Sequence, residues 1–389
     1  MIYKDFQGLK LSAVGFGMMR LPVGIGGMAD VDEEAVEEMV EYALDNGVNY
    51  FDTAWGYHDG NSELAAGKYL YVHPRESYYL ATKFPGYDTS NFGHVEEIFE
   101  EQLNKCETEY FDFYLLHNIY EKNVDFYLDD EKYHTISYLL EQKAKGRIKH
   151  LGFSCHGDLD VLERFLDARG ADMEFCQLQI NYLDWNFQHA KEKVELLNKL
   201  DIPVWVMEPL RGGKLASLPE EDMAKLGALR PDTNAIEWAF RFLQSIPGVT
   251  MTLSGMSDLE QMKENIAFYG EEKPLSAEEF DTIVGIGDSL VGSDALPCTA
   301  CRYCTSHCPQ ELDIPKIIAL YNQYTFTGKD DFIAPMAIMA LPEDKRPSAC
   351  LGCRKCEDVC PQQIEISAMM DDFSEKLGLS SFLNTQTIE

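Results

Sequence analysis

Phe111-Asp112-Phe113-Tyr114-Leu115-Leu116 is a short apolar run rich in aromatic residues. A helical pattern follows over residues 133–145, ended by Gly146, and then a second run, His150-Leu151-Gly152-Phe153-Ser154. This order predicts two parallel strands joined by a crossover helix. The alternation continues on both sides, with strand patterns at 14–17, 50–52 and 78–83 upstream and at 175–180, 203–207 and 250–253 downstream. Helical patterns fill the intervals. One opens at Asp32-Glu33-Glu34-Ala35-Val36, with acids in the first turn where the helix dipole favours them; others run over 159–168, 190–200, 234–243 and 259–266. Eight strands, each followed by a helix, predict an α/β fold closed into a (β/α)8 TIM barrel over residues 1–270. Ahead of the first strand, residues 3–11 have the pattern of a hairpin turning at Gly8, expected to plug the bottom of the barrel.

Composition bounds the rest. Apolar residues make up 45% of the 389, enough for a large core. The net charge of −33 repels nucleic acid and anionic lipid, and neither is expected as a partner. The start, Met1-Ile2-Tyr3-Lys4-Asp5-Phe6-Gln7-Gly8, lacks a basic segment followed by an apolar one, and no apolar stretch is long enough to span a bilayer. The expected address is cytoplasmic. Residues 271–296 are expected to form a charged linker and a helix over 277–290, and residues 297–389 a second domain.

Cysteine usage defines that domain. Of 11 cysteines, Cys106, Cys155 and Cys176 are scattered and eight lie between Cys298 and Cys360. Cys298-Thr-Ala-Cys301-Arg-Tyr-Cys304-Thr-Ser-His-Cys308-Pro309 is repeated in spacing by Cys350-Leu-Gly-Cys353-Arg-Lys-Cys356-Glu-Asp-Val-Cys360-Pro361. A zinc site closes on four ligands, commonly two pairs, and has no use for a three-plus-one spacing twice. Structural disulfides conflict with a cytosolic address. The spacing resembles that of bacterial ferredoxins with two [4Fe–4S] clusters. The resemblance implies that Cys298, Cys301, Cys304 and Cys360 hold one cluster, and Cys350, Cys353, Cys356 and Cys308 the other. The insert at 312–349 carries a helical pattern from Ile314 to Leu320, expected to cover a cluster or dock on the barrel.

In the barrel, Gly47-Val48-Asn49-Tyr50-Phe51-Asp52-Thr53-Ala54-Trp55-Gly56-Tyr57 resembles the second-strand signature of the aldo-keto reductases. Lys83 and His117 end the third and fourth strands as they do in that family, and the tail is similar to that of its iron–sulfur branch. The residue types make chemical sense by themselves. A free phenol has a pKa of about 10, too high for ready proton exchange at neutral pH. A neighbouring ammonium stabilises the phenolate. Asp52 can hold Lys83, Tyr57 can serve as general acid or base toward a carbonyl, and His117 can orient the carbonyl oxygen. The resemblance implies these four roles and a nicotinamide-dependent reduction of a carbonyl, or oxidation of an alcohol.

The resemblance also implies a dinucleotide, NADPH or NADH, across the barrel mouth. Ser154, Gln177 and Asn181 are expected at the nicotinamide. Met207, Pro209, Leu210, Arg211, Gly212 and Lys214 are expected at the pyrophosphate. Ser254, Gly255, Met256, Gln261 and Asn265, with Glu264, are expected at the adenosine. Gly255 and Gln261 are neutral where many relatives carry a cation for a 2′-phosphate, which leaves the choice of dinucleotide open. Trp55, Tyr182 and Trp185 are candidate pocket walls, and Arg20 a candidate anion contact. Nicotinamide delivers two electrons and a cluster one, so two alternatives stand beside a simple reductase. One is a flavin enzyme, with FMN in the barrel and a ferredoxin-like carrier as partner; the other is a non-catalytic redox-sensing or docking protein.

Overall fold

In the computed structural model, which describes residues 1–290, 296–327 and 333–379, eight parallel strands close into a barrel. They are β3 (Val14–Gly17), β4 (Tyr50–Asp52), β5 (Tyr79–Phe84), β6 (Phe111–Ile119), β7 (Ile148–Cys155), β8 (Cys176–Gln179), β9 (Val204–Met207) and β10 (Val249–Gly255). β10 closes the ring by pairing with both β3 and β9. β6 is buried along its whole length, as expected of a strand covered on both faces. β6 outruns its apolar run because buried His117 and Asn118 prolong it to Ile119.

The amino-terminal hairpin forms from β1 (Tyr3–Phe6) and β2 (Leu9–Ser12), with Gln7 and Gly8 both at positive φ, 50° and 87°. That two-residue turn suits the strand twist. Phe6 and Leu11 enter the same core as Tyr50, Phe113, Phe175 and Trp205, so the hairpin stoppers the end of the barrel opposite the strand carboxyl ends. Burying the Phe6 ring is worth roughly 1.5–3 kcal/mol. The helix expected over 133–145 is two, Asp130–Tyr133 and Thr135–Ala144, broken by His134 at φ 53°.

The first unit runs from Met1 to Asp288 rather than ending at residue 270. The helix Ala277–Leu290 belongs to it up to that point: Phe280 stacks on Phe242 at 4.9 Å and meets Trp185 edge-on, and Glu279 pairs with Arg230 at 2.9 Å. The linker expectation overlooked that apolar face.

The second unit, Ser289–Glu389, has its own core, in which helices Ile314–Thr327, Ile333–Met339 and Ile366–Lys376 bury Ile317, Ile318, Ile338, Met370 and Phe373. Tyr321 packs on Phe373 and donates to Asp372 at 2.7 Å. Among the described residues no helix is long and apolar enough to cross a membrane.

Candidate active site and cysteine-lined cavities

Asp52, Lys83 and His117 come from three neighbouring strands, β4, β5 and β6, at their carboxyl ends. Tyr57 is brought in by the turn Tyr57–Gly60, in which His58 and Asp59 adopt φ of 53° and 54° before Gly60 at 92°. Lys83 Nζ donates to Asp52 Oδ1 at 2.5 Å and to the Thr53 carbonyl at 2.7 Å, and lies 3.5 Å from Tyr57 Oη. The Tyr57 and His117 rings meet edge-on at 6.0 Å. All four residues are buried.

Burial pushes the Lys83 ammonium down and the Asp52 carboxyl up, and their mutual contact opposes both shifts. The ammonium beside Tyr57 therefore releases its proton more readily than a free lysine. Burial, then the Lys83 charge, drives His117 well below the ordinary histidine range, and burial together with Lys193 takes His156 to about 3. Both imidazoles are neutral at neutral pH.

The residues expected at the nicotinamide divide. Ser154 Oγ accepts from the Asn118 N–H at 2.7 Å and keeps its own O–H to give. Gln177 Oε1 is buried without a hydrogen-bond partner. A carboxamide, with a carbonyl acceptor and an NH₂ donor group, fits these two. Asn181 has no such capacity. It donates to Asp184 at 2.7 Å and to the Glu208 carbonyl at 3.0 Å, and accepts from the amides of Leu183 and Asp184.

The loop after β9 is preformed. Glu208 and Arg211 both take positive φ, as do Gly212 and Gly213. Arg211 was expected to lend charge to a pyrophosphate; instead its Nε donates to both oxygens of buried Asp184 at 3.0 and 3.1 Å, where Gln179 and Asn181 also donate. Met207 and Leu210 are half-buried, Pro209 is buried, and Lys214 is exposed. Arg20 pairs with Glu208 at 3.1 Å across the mouth.

At the expected adenosine end, Ser254 accepts from Asn265 at 3.1 Å, Met256 is buried and Gly255 is exposed. Gln261 is occupied as the partner of the helix cap Asp258, donating to it at 2.6 Å and accepting from Ser257. Glu264 accepts from Asn234, and Lys263 is paired with Glu260. Tyr182 and Trp185 are buried packing residues against Phe242, which corrects their reading as pocket walls, and Lys105 stacks over Trp55 at 3.8 Å. The ring that sequence reasoning passed over is Tyr87, edge-on to His117 at 5.2 Å. Its position four residues beyond Lys83, on a loop leaving a strand carboxyl end, is the signal that would have found it.

In the second unit the two cysteine repeats share one backbone. Ala300, Arg302 and Glu311 have positive φ in the first, and Gly352, Arg354 and Gln363 in the second. The amides of Ala300 and Gly352 point at Cys298 Sγ and Cys350 Sγ, at 3.4 and 3.5 Å. One cavity of about 300 Å³ is lined by Cys298, Cys301, Cys304 and Cys360; another of about 330 Å³ is lined by Cys350, Cys353, Cys356 and Cys308. Among the described residues no three His, Cys, Asp or Glu side chains gather as a single metal ion would require. Sulfurs spread around a cavity fit a cluster. Ile366 lines both cavities, and Pro315 and Ile318 of the insert help to cover the first.

A parallel barrel with a charged pair beneath a phenol, joined to a cysteine-lined module, defines an oxidoreductase. Residues 13–288 match the model of the aldo/keto reductase family, and the chain belongs to that family; residues 297–365 match the 4Fe-4S dicluster domain. The chain is 28% identical to the probable aldo-keto reductase 1 of Glycine max over 55% of its own length and 62% of that protein's. It is 26% identical to the NADH-specific methylglyoxal reductase of Escherichia coli, over 67% of its length and 90% of that enzyme's. Among solved structures it resembles the holo form of the aldo-keto reductase AKR11C1 of Bacillus halodurans, with 25% identity, TM-score 0.61, and 76% of this chain and 99% of that one covered. The fold is also that of an aldo-keto reductase from Klebsiella pneumoniae in complex with NADPH, at 18% identity and TM-score 0.60, with 74% and 96% covered.

Proposed function

We propose that this chain reduces a carbonyl compound with a nicotinamide dinucleotide, or oxidises the corresponding alcohol, and that Tyr57 is the proton donor. The observation that carries this is the run from Asp52 through Lys83 to Tyr57, at 2.5 and 3.5 Å, at the strand carboxyl ends beside His117. The bound nicotinamide supplies hydride. Ser154 and Gln177 would hold its carboxamide, Ser154 donating to the carbonyl and Gln177 Oε1 accepting from the amide. His117, kept neutral by burial, donates to the carbonyl oxygen and fixes it near the phenol. Tyr57 gives that oxygen its proton, and the Lys83 ammonium stabilises the phenolate left behind. Asp52 keeps the ammonium in place. The Escherichia coli relative, an NADH-specific methylglyoxal reductase, supports the same reaction type. Because Gly255 and Gln261 are neutral and Lys263 is paired with Glu260, the adenosine end takes NADH at least as well as NADPH.

The second unit holds two [4Fe–4S] clusters, with the exchanged fourth ligands Cys360 and Cys308. The dinucleotide already brings both electrons, so carbonyl reduction does not require the clusters as carriers. The test is anaerobic turnover of NADH and methylglyoxal. Tyr57→Phe is expected to lower kcat by about 10²- to 10⁴-fold, with dinucleotide affinity and iron content unchanged. Equal turnover in the variant and the parent chain would overturn the assignment.

A further inference from the structure

Glu63 is fully buried in helix Asn61–Leu70, behind the strand that carries Lys83. Its Oε1 accepts from Thr82 Oγ1 at 2.7 Å and from Gln102 Nε2 at 2.7 Å. The same Gln102 nitrogen donates to the Lys83 carbonyl at 3.0 Å, and Tyr114 fixes the Gln102 carbonyl at 2.6 Å. On the other side, Glu63 Oε2 lies 3.5 Å from Lys105 Nζ, which stacks at 3.8 Å on Trp55, two residues before Tyr57. Burial pushes the Glu63 carboxyl up, and Thr82, Lys105 and Gln102 oppose that shift by favouring the carboxylate.

We propose that Glu63 is a positioning residue for the proton-transfer pair: one arm, through Thr82 and Gln102, sets the backbone of Lys83, and the other, through Lys105 and Trp55, sets the turn that carries Tyr57. The inference rests on the reading of Tyr57 as proton donor. A misplacement of well under an ångström between phenol and ammonium is costly to proton transfer, and neither Tyr57 nor Lys83 can set that spacing from its own backbone alone. The Glu63 charge also favours the protonated form of Lys83. The groups facing Glu63 are Lys83, Tyr87, Lys105, Cys106 and Tyr114; those facing the pair itself are Asp52 and His117.

The test uses the full-length protein with its clusters. Glu63→Gln keeps the shape and the carbonyl acceptor but removes the charge. It is expected to lower kcat for methylglyoxal reduction about tenfold, with KM within about twofold, and to move the alkaline limb of the kcat profile to lower pH by about half a unit, because the anion that favours Lys83⁺ is gone. Tyrosine ionisation at 295 nm, taken as the difference from Tyr57→Phe in each background, follows the pair without any substrate and should move in the same direction. Lys105→Met, at a partly exposed position, should lower kcat about threefold without moving the limb downward. If Glu63→Gln folds and keeps both kcat and the two titrations of the parent, the proposal fails. If Glu63→Gln does not fold, unchanged turnover in Lys105→Met defeats it. Parental turnover in Tyr57→Phe would instead sink the reading of the site on which it stands.

Discussion

At the barrel mouth Lys83 has a carboxylate at 2.5 Å and a carbonyl at 2.7 Å, while in the second unit Cys304 faces Cys298, Cys301, Cys356 and Cys360. Both are buried groups to which a catalytic or ligating role is proposed, yet their surroundings act oppositely. In the barrel, buried Asp52 and Lys83 are each other's partners, so that pair is formed before any cofactor arrives. In the cysteine module burial pushes the Cys304 thiol far up, with neighbouring thiols adding to the shift, and takes Cys356 to about 12. Such thiols become ligands only when a cationic centre stabilises the thiolates. One region carries its own electrostatic balance; the other borrows it from iron.

The strongest way to break that comparison is to remove a single ligand and ask which region answers. Cys360 belongs to the second repeat in sequence but lines the cavity of the first. If each cavity holds the cluster proposed for it, Cys360→Ser is expected to eliminate the one at Cys298, Cys301 and Cys304, about half of the iron, and to leave the one at Cys350, Cys353 and Cys356. Iron per chain and the electron paramagnetic resonance of the reduced protein measure this. Turnover of NADH with methylglyoxal is expected to stay within about twofold, since no electron need leave the barrel. Loss of the other cluster would mean that each repeat closes its own site. A proportional loss of barrel turnover would mean that the clusters serve the reaction.

A smaller effect is expected where the barrel balances a buried charge close to the cofactor loop. Arg211 and Asp184 form a buried pair, and removing one partner of such a pair leaves the other uncompensated, at a cost of about 3–5 kcal/mol. Arg211→Gln should therefore loosen the loop from Glu208 to Lys214 and weaken dinucleotide binding about tenfold, or about 1.4 kcal/mol, with kcat at saturation little changed. Fluorescence titration with NADH measures it. Asp184→Asn combined with Arg211→Gln should recover part of the loss, because neither charge is then left alone. If Arg211→Gln instead abolishes binding and the double variant recovers nothing, Arg211 contacts the dinucleotide directly, as the sequence suggested.

Arg211 also marks where sequence reading reaches its limit. Strand existence was legible because each barrel strand is buried on both faces and so reads as an apolar run, and Asp52, Lys83 and His117 stand where such runs end. The cysteine repeat was legible because cluster geometry dictates spacing along the chain. Hydrogen bonding between distant segments leaves no such trace. Nothing near Arg211 signals that the distant Asp184 will claim its guanidinium, nor near Asn181 that the distant Glu208 carbonyl will take its amide. Tyr182 and Trp185 look like pocket aromatics until Phe242 is seen against the first and Phe280 of the helix Ala277–Leu290 against the second. The rule that separates the cases is whether the constraint is local in the chain or arises only once the chain has closed.

The gentlest test uses pH to separate the two regions within one molecule. His156 has a folded pKa of about 3 against about 6.5 unfolded, and His117 is lowered for the same main reason, burial. Both imidazoles are neutral in the folded barrel, so between these values the unfolded chain binds more protons than the folded one. The His156 contribution to stability is complete above about pH 6.5 and is lost as pH falls from there toward about 3, and the His117 contribution is lost in the same direction. Lowering the pH from 7.5 to 5 should reduce the barrel's unfolding temperature by a few degrees, and His156→Gln should flatten that slope. Acid also protonates cluster thiolates, but that event bleaches the iron–sulfur absorbance and the histidine titration does not. Calorimetry with absorbance followed in parallel distinguishes them. An unfolding temperature for the barrel that is flat from pH 7.5 to 5 would mean that these imidazoles are not buried as neutral groups, and the donor role given to His117 would fall with that result.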